Sequence, residues 1–176
     1  MARHGLNPDK FNKHGGMTDI MIDIETIGTT AGCMIYEIGV VRFRDFNIVD
    51  SEEWLISLRS LADVGLGADL ATLEWMLETG IPPRRDYSLL SVDIEQALDE
   101  LATFIFHDEG PTIWANGPDF DCRLLEAAYQ ALDMKTPWKH TDQRCFRTLK
   151  NLWPHVTIEK DPATAHQALA DAIHQT

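Results

Sequence analysis

Positive charge is what this chain has least of. It carries 15 lysines and arginines against 28 acids, a formal net charge of -13, which argues against a protein that coats nucleic acid through a basic surface. A nucleic-acid enzyme stays open, because a site that meets phosphate through metal ions needs clustered acids and only a few placed cations. Cysteine is also scarce. Cys33, Cys122 and Cys145 form no CxxC pair and have no histidine at zinc-ligand spacing, which argues against a disulfide framework or structural zinc and fits a reducing, cytoplasmic setting. No apolar run approaches the roughly 18 residues of a membrane span. The N-terminus lacks the apolar core of a signal peptide, so no membrane partner is expected.

What is present suits one globular domain: 176 residues, 44% hydrophobic and 24% charged. Residues 1–16 are polar, contain Gly15-Gly16 and show no periodicity. They are expected to form a poorly ordered arm, with Met17 a candidate natural start, ahead of a single domain over residues 17–176.

The stretch Asp19 to Thr26 sets two carboxylates into an apolar, strand-like run, where burying an unpartnered charge is costly. Successive strand side chains face opposite ways, so Asp23 and Glu25 share a face about 6–7 Å apart. That spacing can flank a divalent cation, and it equally suits a solvated strand end. Met21 falls on the same face, while Ile20, Ile22 and Ile24 line the other, as expected of a central strand. A loop with Gly28 and Gly32 leads to a second strand, Met34 to Phe43, and a third follows from Asn47 to Ile56. Their short polar connections predict an antiparallel meander.

The period then changes. Thr72 is a candidate cap for a short helix from Leu73 to Glu78 that stops at Gly80; its Trp75 reads equally as core packing or as an exposed ring. Ser91 as cap and Asp93 in the first turn precede an apolar stripe of Ile94, Ala97, Leu98, Leu101, Phe104 and Ile105, which predicts an amphipathic helix. Thr112 to Asn116 reads as a buried strand, Gly117-Pro118 as a turn, and Asp119 to Leu132 as a second helix. Asp121 starts that helix's buried face, with Leu125, Ala128 and Leu132 in line; alone it is explained better by the helix dipole than by a metal role. Asp119 lies off the stripe, near the cap. A strand near Lys139 to Thr141, a helix around Arg144 to Leu152 and a last helix from about Ala163 complete an α/β chain. In the last helix His166 and Asp171 are separated by about 140° beyond a full turn. They can converge only if the histidine sits at the frayed entry.

Taken together, Asp23-Ile24-Glu25-Thr26, Asn116-Gly117-Pro118-Asp119-Phe120-Asp121 and His166-Gln167-Ala168-Leu169-Ala170-Asp171 resemble, in order and spacing, the three motifs of the DEDDh 3'-to-5' exonucleases of the ribonuclease H-like superfamily. Asp-x-Glu alone is common, whereas the three in order are fairly specific. Glu37-Ile38-Gly39-Val40-Val41, the Trp75 segment and Arg144 to Leu149 look most like the subgroup of phage exonuclease A, exodeoxyribonuclease VIII-like proteins and RNase AS. The resemblance spans nearly the whole chain from residue 17. It implies a mixed five-stranded sheet, three antiparallel strands then parallel ones, flanked by helices.

The resemblance also implies two divalent ions, Mg2+ or Mn2+, held by Asp23, Glu25, Asp121 and Asp171, with Asp23 shared, and His166 as general base. Hard cations suit these oxygen ligands, and a neutral imidazole suits that task. The substrate would be the 3' end of single-stranded DNA or RNA and the product a nucleoside 5'-monophosphate. Thr26, Ile27, Trp75, Asn116 and Phe120 would meet the terminal nucleotide, Arg144 and Arg147 its phosphates, and a homodimer is compatible with the relatives. Two other classes stand beside this reading: a non-catalytic nucleic-acid-binding module that kept the fold, and an acidic metal-buffering or interaction protein.

Overall fold

A computed structural model describes residues 18–45, 47–81, 87–106, 112–156 and 166–176. The expected arm over residues 1–16 and the expected helix start at Ala163 lie outside them. In chain order the elements are β1 (Asp19–Thr26), β2 (Ile35–Arg44), β3 (Asn47–Leu55), α1 (Leu58–Asp63), α2 (Leu70–Thr79), α3 (Tyr87–Leu90), α4 (Ile94–Ile105), β4 (Thr112–Ala115), α5 (Asp121–Ala131), β5 (Gln143–Cys145), α6 (Phe146–Leu152) and α7 (Ala168–Gln175). Among the described residues no helix is long and apolar enough to cross a membrane.

The five strands form one sheet in the order β3-β2-β1-β4-β5. β1 to β3 are antiparallel, β4 runs parallel to β1, and β5 parallel to β4. β1 is thus the central strand that its two apolar faces require. One face carries the main core, in which Ile20, Ile22, Ile24, Ile38 and Val40 pack with Leu98, Leu101, Ile105, Leu125, Ala128 and Tyr129. All six residues of the expected α4 stripe are buried. The other face holds a smaller cluster of Met21, Val41 and Ala172, beneath α7.

Several boundaries differ from the sequence expectation. α2 begins earlier, because Asp69 and not Thr72 is its cap: the Asp69 carboxylate accepts from the Ala71 amide at 3.1 Å. Gly80 ends that helix in the left-handed conformation, with φ 68°. Asp93, not Ser91, stands at the cap of α4. α5 starts at Asp121, leaving Asp119 exposed before it. The strand expected at Lys139–Thr141 falls instead at Gln143–Cys145, because His140–Asp142 form a 3-10 turn in which the Asp142 carboxylate accepts from the Lys139 amide at 2.8 Å. α1 was unforeseen; six residues give too short a stripe to show a period.

The register places Glu25 opposite Glu37, Asp23 opposite Gly39 and Met21 opposite Val41, all on the face that α7 covers. A Cβ on Gly39 would overlap the Leu169 amide nitrogen and the Ala168 carbonyl group. Because those atoms are backbone, they cannot turn aside. Gly39→Ala is expected to lower unfolding free energy by about 1–3 kcal/mol, measured by denaturant titration; an unchanged midpoint would show that α7 does not pack on this strand.

Candidate active site

Strand alternation puts Asp23 and Glu25 on the α7 face of β1, and α7 brings Asp171 down on them. One carboxylate oxygen from each of Asp23, Glu25 and Asp171 lies within 4.8 Å of the others. Asp171 shares the buried face of α7 with Ala168, Ala172 and Gln175, the i, i+3, i+4, i+7 pattern of a helix pressed on a sheet. Gln175 reaches back to donate from Nε2 to Asp23 Oδ1 at 2.7 Å.

Asp121 arrives from the other side. β4 pairs with β1 only as far as Met21, so the next part of β1 has an open edge. There the Ile24 amide, together with Asp121's own, donates to the Asp121 carboxylate. Burial pushes this carboxyl up to about 7; those two amides and the nearby Arg147 guanidinium offset part of the rise. Asp23 is raised well above the ordinary carboxylate range by burial first and then by the negative charge of Asp121, with Asp171 and Glu25 adding to it and the Gln175 hydrogen bond opposing it. Asp23 thus sits at the centre of the like charge that the other three acids bring.

His166 lies outside the helix, two residues before Ala168, with φ 62°. That left-handed backbone turns its exposed ring away from the helix axis and against Trp75, edge to face, with ring centroids 5.9 Å apart. His166, Glu25, Thr26, Trp75 and Phe120 line one open groove of about 450 Å³. Trp75 is 45% exposed, whereas its chain neighbour Met76 is buried in the core. Thr26 donates its hydroxyl to the Gly28 carbonyl at 2.6 Å.

Two expected contact residues stand apart from the groove wall. Ile27 is buried with Tyr36 and Met76; its amide donates to the Met34 carbonyl and its carbonyl accepts from Asp69, so neither side chain nor backbone faces the groove. Asn116 follows the end of β4, and its Oδ1 is buried without a partner among the described residues. Of the two arginines, Arg144 is committed to the Thr141 and Gln143 carbonyls at 2.9 and 2.8 Å. Arg147 projects over Gly117. Glu37, Gly39 and Gln175 were not read from the sequence as parts of this site. A lone acid and a glycine in the apolar run of β2, and a glutamine four residues after Asp171, were the available signals.

The family described as the "3'-5' exoribonuclease Rv2179c-like domain" matches residues 18–176. No curated protein matches the chain in sequence. Among solved structures, the nuclease domain of 3'hExo, a DEDDh family member bound to rAMP, superposes with a TM-score of 0.56 at 14% identity, over 89% of this chain and 86% of that one. Cell-death related nuclease 4 (CRN-4) superposes with a TM-score of 0.50 at 13% identity, over 89% of this chain and 60% of that one. At these identities the likeness is one of fold, and the fold is the ribonuclease H-like mixed sheet expected from the sequence.

The raised Asp121 carboxyl has a measurable consequence. Its folded value, about 7, lies above the ordinary 3.8, so the folded chain holds a proton that the unfolded chain has released. Stability from this group is full below about 3.8 and is lost as pH rises to about 7. In chelator, wild type should match Asp121→Asn near pH 4 and fall behind it by on the order of a few kcal/mol near pH 8. A difference independent of pH, read by denaturant unfolding, would contradict this.

Proposed function

The chain belongs to the Rv2179c-like 3'-5' exoribonuclease domain family and is a 3'-5' exonuclease; from this premise we propose that it removes nucleotides from the 3' end of single-stranded RNA as nucleoside 5'-monophosphates, with divalent metal ions held by its acid cluster. The observation that carries the reading is the convergence of Asp23, Glu25 and Asp171 within 4.8 Å, with Glu25 also in the wall of an open groove. The preference for RNA rests on the family's description. The text of Glu37 to Val41 and Arg144 to Leu149 favours the subgroup that contains RNase AS.

The donor set fits hard divalent cations. Carboxylate oxygens are the ligands that Mg2+ and Mn2+ prefer, and a cation beside Asp23 and Asp121, whose carboxyls are raised by burial and, at Asp23, by neighbouring like charge, would favour their charged forms. Asp23, Glu25 and Asp171 would hold one ion, and Asp23 with Asp121 a second. Such ions, when bound, supply Lewis-acid activation of water and neutralise charge at the phosphorus and the departing 3' oxygen.

The chain's own residues supply the rest. His166 accepts the proton of the attacking water, and its contact with Trp75 restricts the ring's orientation. Trp75 and Phe120 offer aromatic faces to bases, a contact that tolerates any sequence. Asn116 Oδ1, without a partner among the described residues, offers an acceptor to a nucleotide donor. Arg147 offers a cation to a phosphate at the Asp121 side.

A 5'-labelled single-stranded RNA incubated with Mn2+ or Mg2+ should shorten stepwise from its 3' end, faster than the matching DNA. His166→Ala should lower kcat by about 100- to 10,000-fold, and Asp23→Ala should abolish cutting. RNA that stays full length, or is cut equally by Asp23→Ala, would overturn the proposal; DNA cut faster than RNA would overturn the substrate assignment.

A further inference from the structure

α7 has only eight residues, a length that is marginal without tertiary support. Two buried side chains supply that support at its ends. Glu37, 1% exposed in the middle of β2, accepts the Ala168 amide at 2.6 Å, satisfying an N-terminal donor that the helix itself cannot pair. A carboxylate there is also favoured by the helix dipole. At the other end Gln175, 8% exposed, donates to Asp23 Oδ1 at 2.7 Å. Its Oε1 is buried without a partner among the described residues. When Asp23 is ionised, this amide orientation gives it a donor rather than a second oxygen.

We propose that Glu37 and Gln175 are positioning residues that pin the two ends of α7 to β2 and β1 and so hold Asp171 beside Asp23 and Glu25. Asp171 lies three residues after the first pin and four before the second, about one turn from each. Gly39, opposite Asp23, permits the close approach that both bonds need. Glu37 acts through the helix and Gln175 through Asp23; neither is required to touch the substrate. The inference rests on the reading above only in taking these acids as the metal-binding site.

The test uses the full chain with Glu37→Leu, Glu37→Gln and Gln175→Leu. Calorimetry reads Mn2+ affinity, steady-state kinetics on the 3' end read kcat and KM, and NMR reads exchange of the Ala168 amide. Both leucine variants should bind Mn2+ about 10- to 100-fold more weakly. Their kcat should fall in parallel, with KM changed by no more than about twofold. Glu37→Gln, which keeps an acceptor oxygen, should stay within about threefold of wild type. The wild-type Ala168 amide should exchange as slowly as the interior amides of the helix. Leucine variants that fold and keep wild-type Mn2+ affinity and kcat would overturn the proposal. Should they fail to fold, a fast-exchanging Ala168 amide in wild type, or a Glu37→Gln protein that folds but binds Mn2+ as weakly as an Asp171→Ala protein, would overturn it. A wild type that binds Mn2+ and leaves RNA intact would instead sink the functional reading, with affinity and exchange still deciding this one.

Discussion

Holding carboxylates together against their mutual repulsion is the constraint on which the rest of this structure depends. Asp23, Glu25 and Asp171 converge within 4.8 Å, and Asp121 adds its field to Asp23 from a separate helix. No local interaction assembles such a group; burial and like charge both oppose it. It is assembled by the main core, which fixes β1 at the centre of the sheet, and by three attachments made from outside the acids. The Ile24 amide holds Asp121, Gln175 holds Asp23, and Glu37 with Gly39 seats the helix that carries Asp171. On the proposed reading, a divalent cation bound there would relieve this unfavourable charge.

The same constraint explains how a chain of net charge -13 can work on a polyanion. Attraction does not have to come from a basic surface when metal ions reverse the local sign at the acids. Trp75, Phe120 and His166 add aromatic surface along the groove, and Arg147 sets one cation beside Asp121. On the proposed reading, binding of this kind would be local to a strand end, as stepwise removal from a 3' terminus requires.

Much of this was legible in the sequence where a period was long enough to read. Alternation alone put Asp23, Glu25 and Met21 on one face of β1, and the structure places them so opposite Gly39, Glu37 and Val41. The α4 stripe was readable because it repeats over three turns. Asp121 was readable as the start of a buried helical face, and His166 as a residue at the helix entry, where its φ of 62° places it outside the helix proper. What failed was short-range punctuation and long-range pairing. Asp69 took the cap assigned to Thr72, and a 3-10 turn displaced β5. Glu37 and Gln175 escaped notice because each finds its partner more than 130 residues away, at Ala168 and Asp23, and no local pattern marks such a bond.

The central claim is that this cluster is a divalent-metal site, and anomalous diffraction from crystals grown with Mn2+ tests it most directly. The account predicts a manganese peak roughly 2.0–2.2 Å from carboxylate oxygens of Asp23, Glu25 and Asp171. A map with no peak there, at a Mn2+ concentration that occupies other sites, would contradict it.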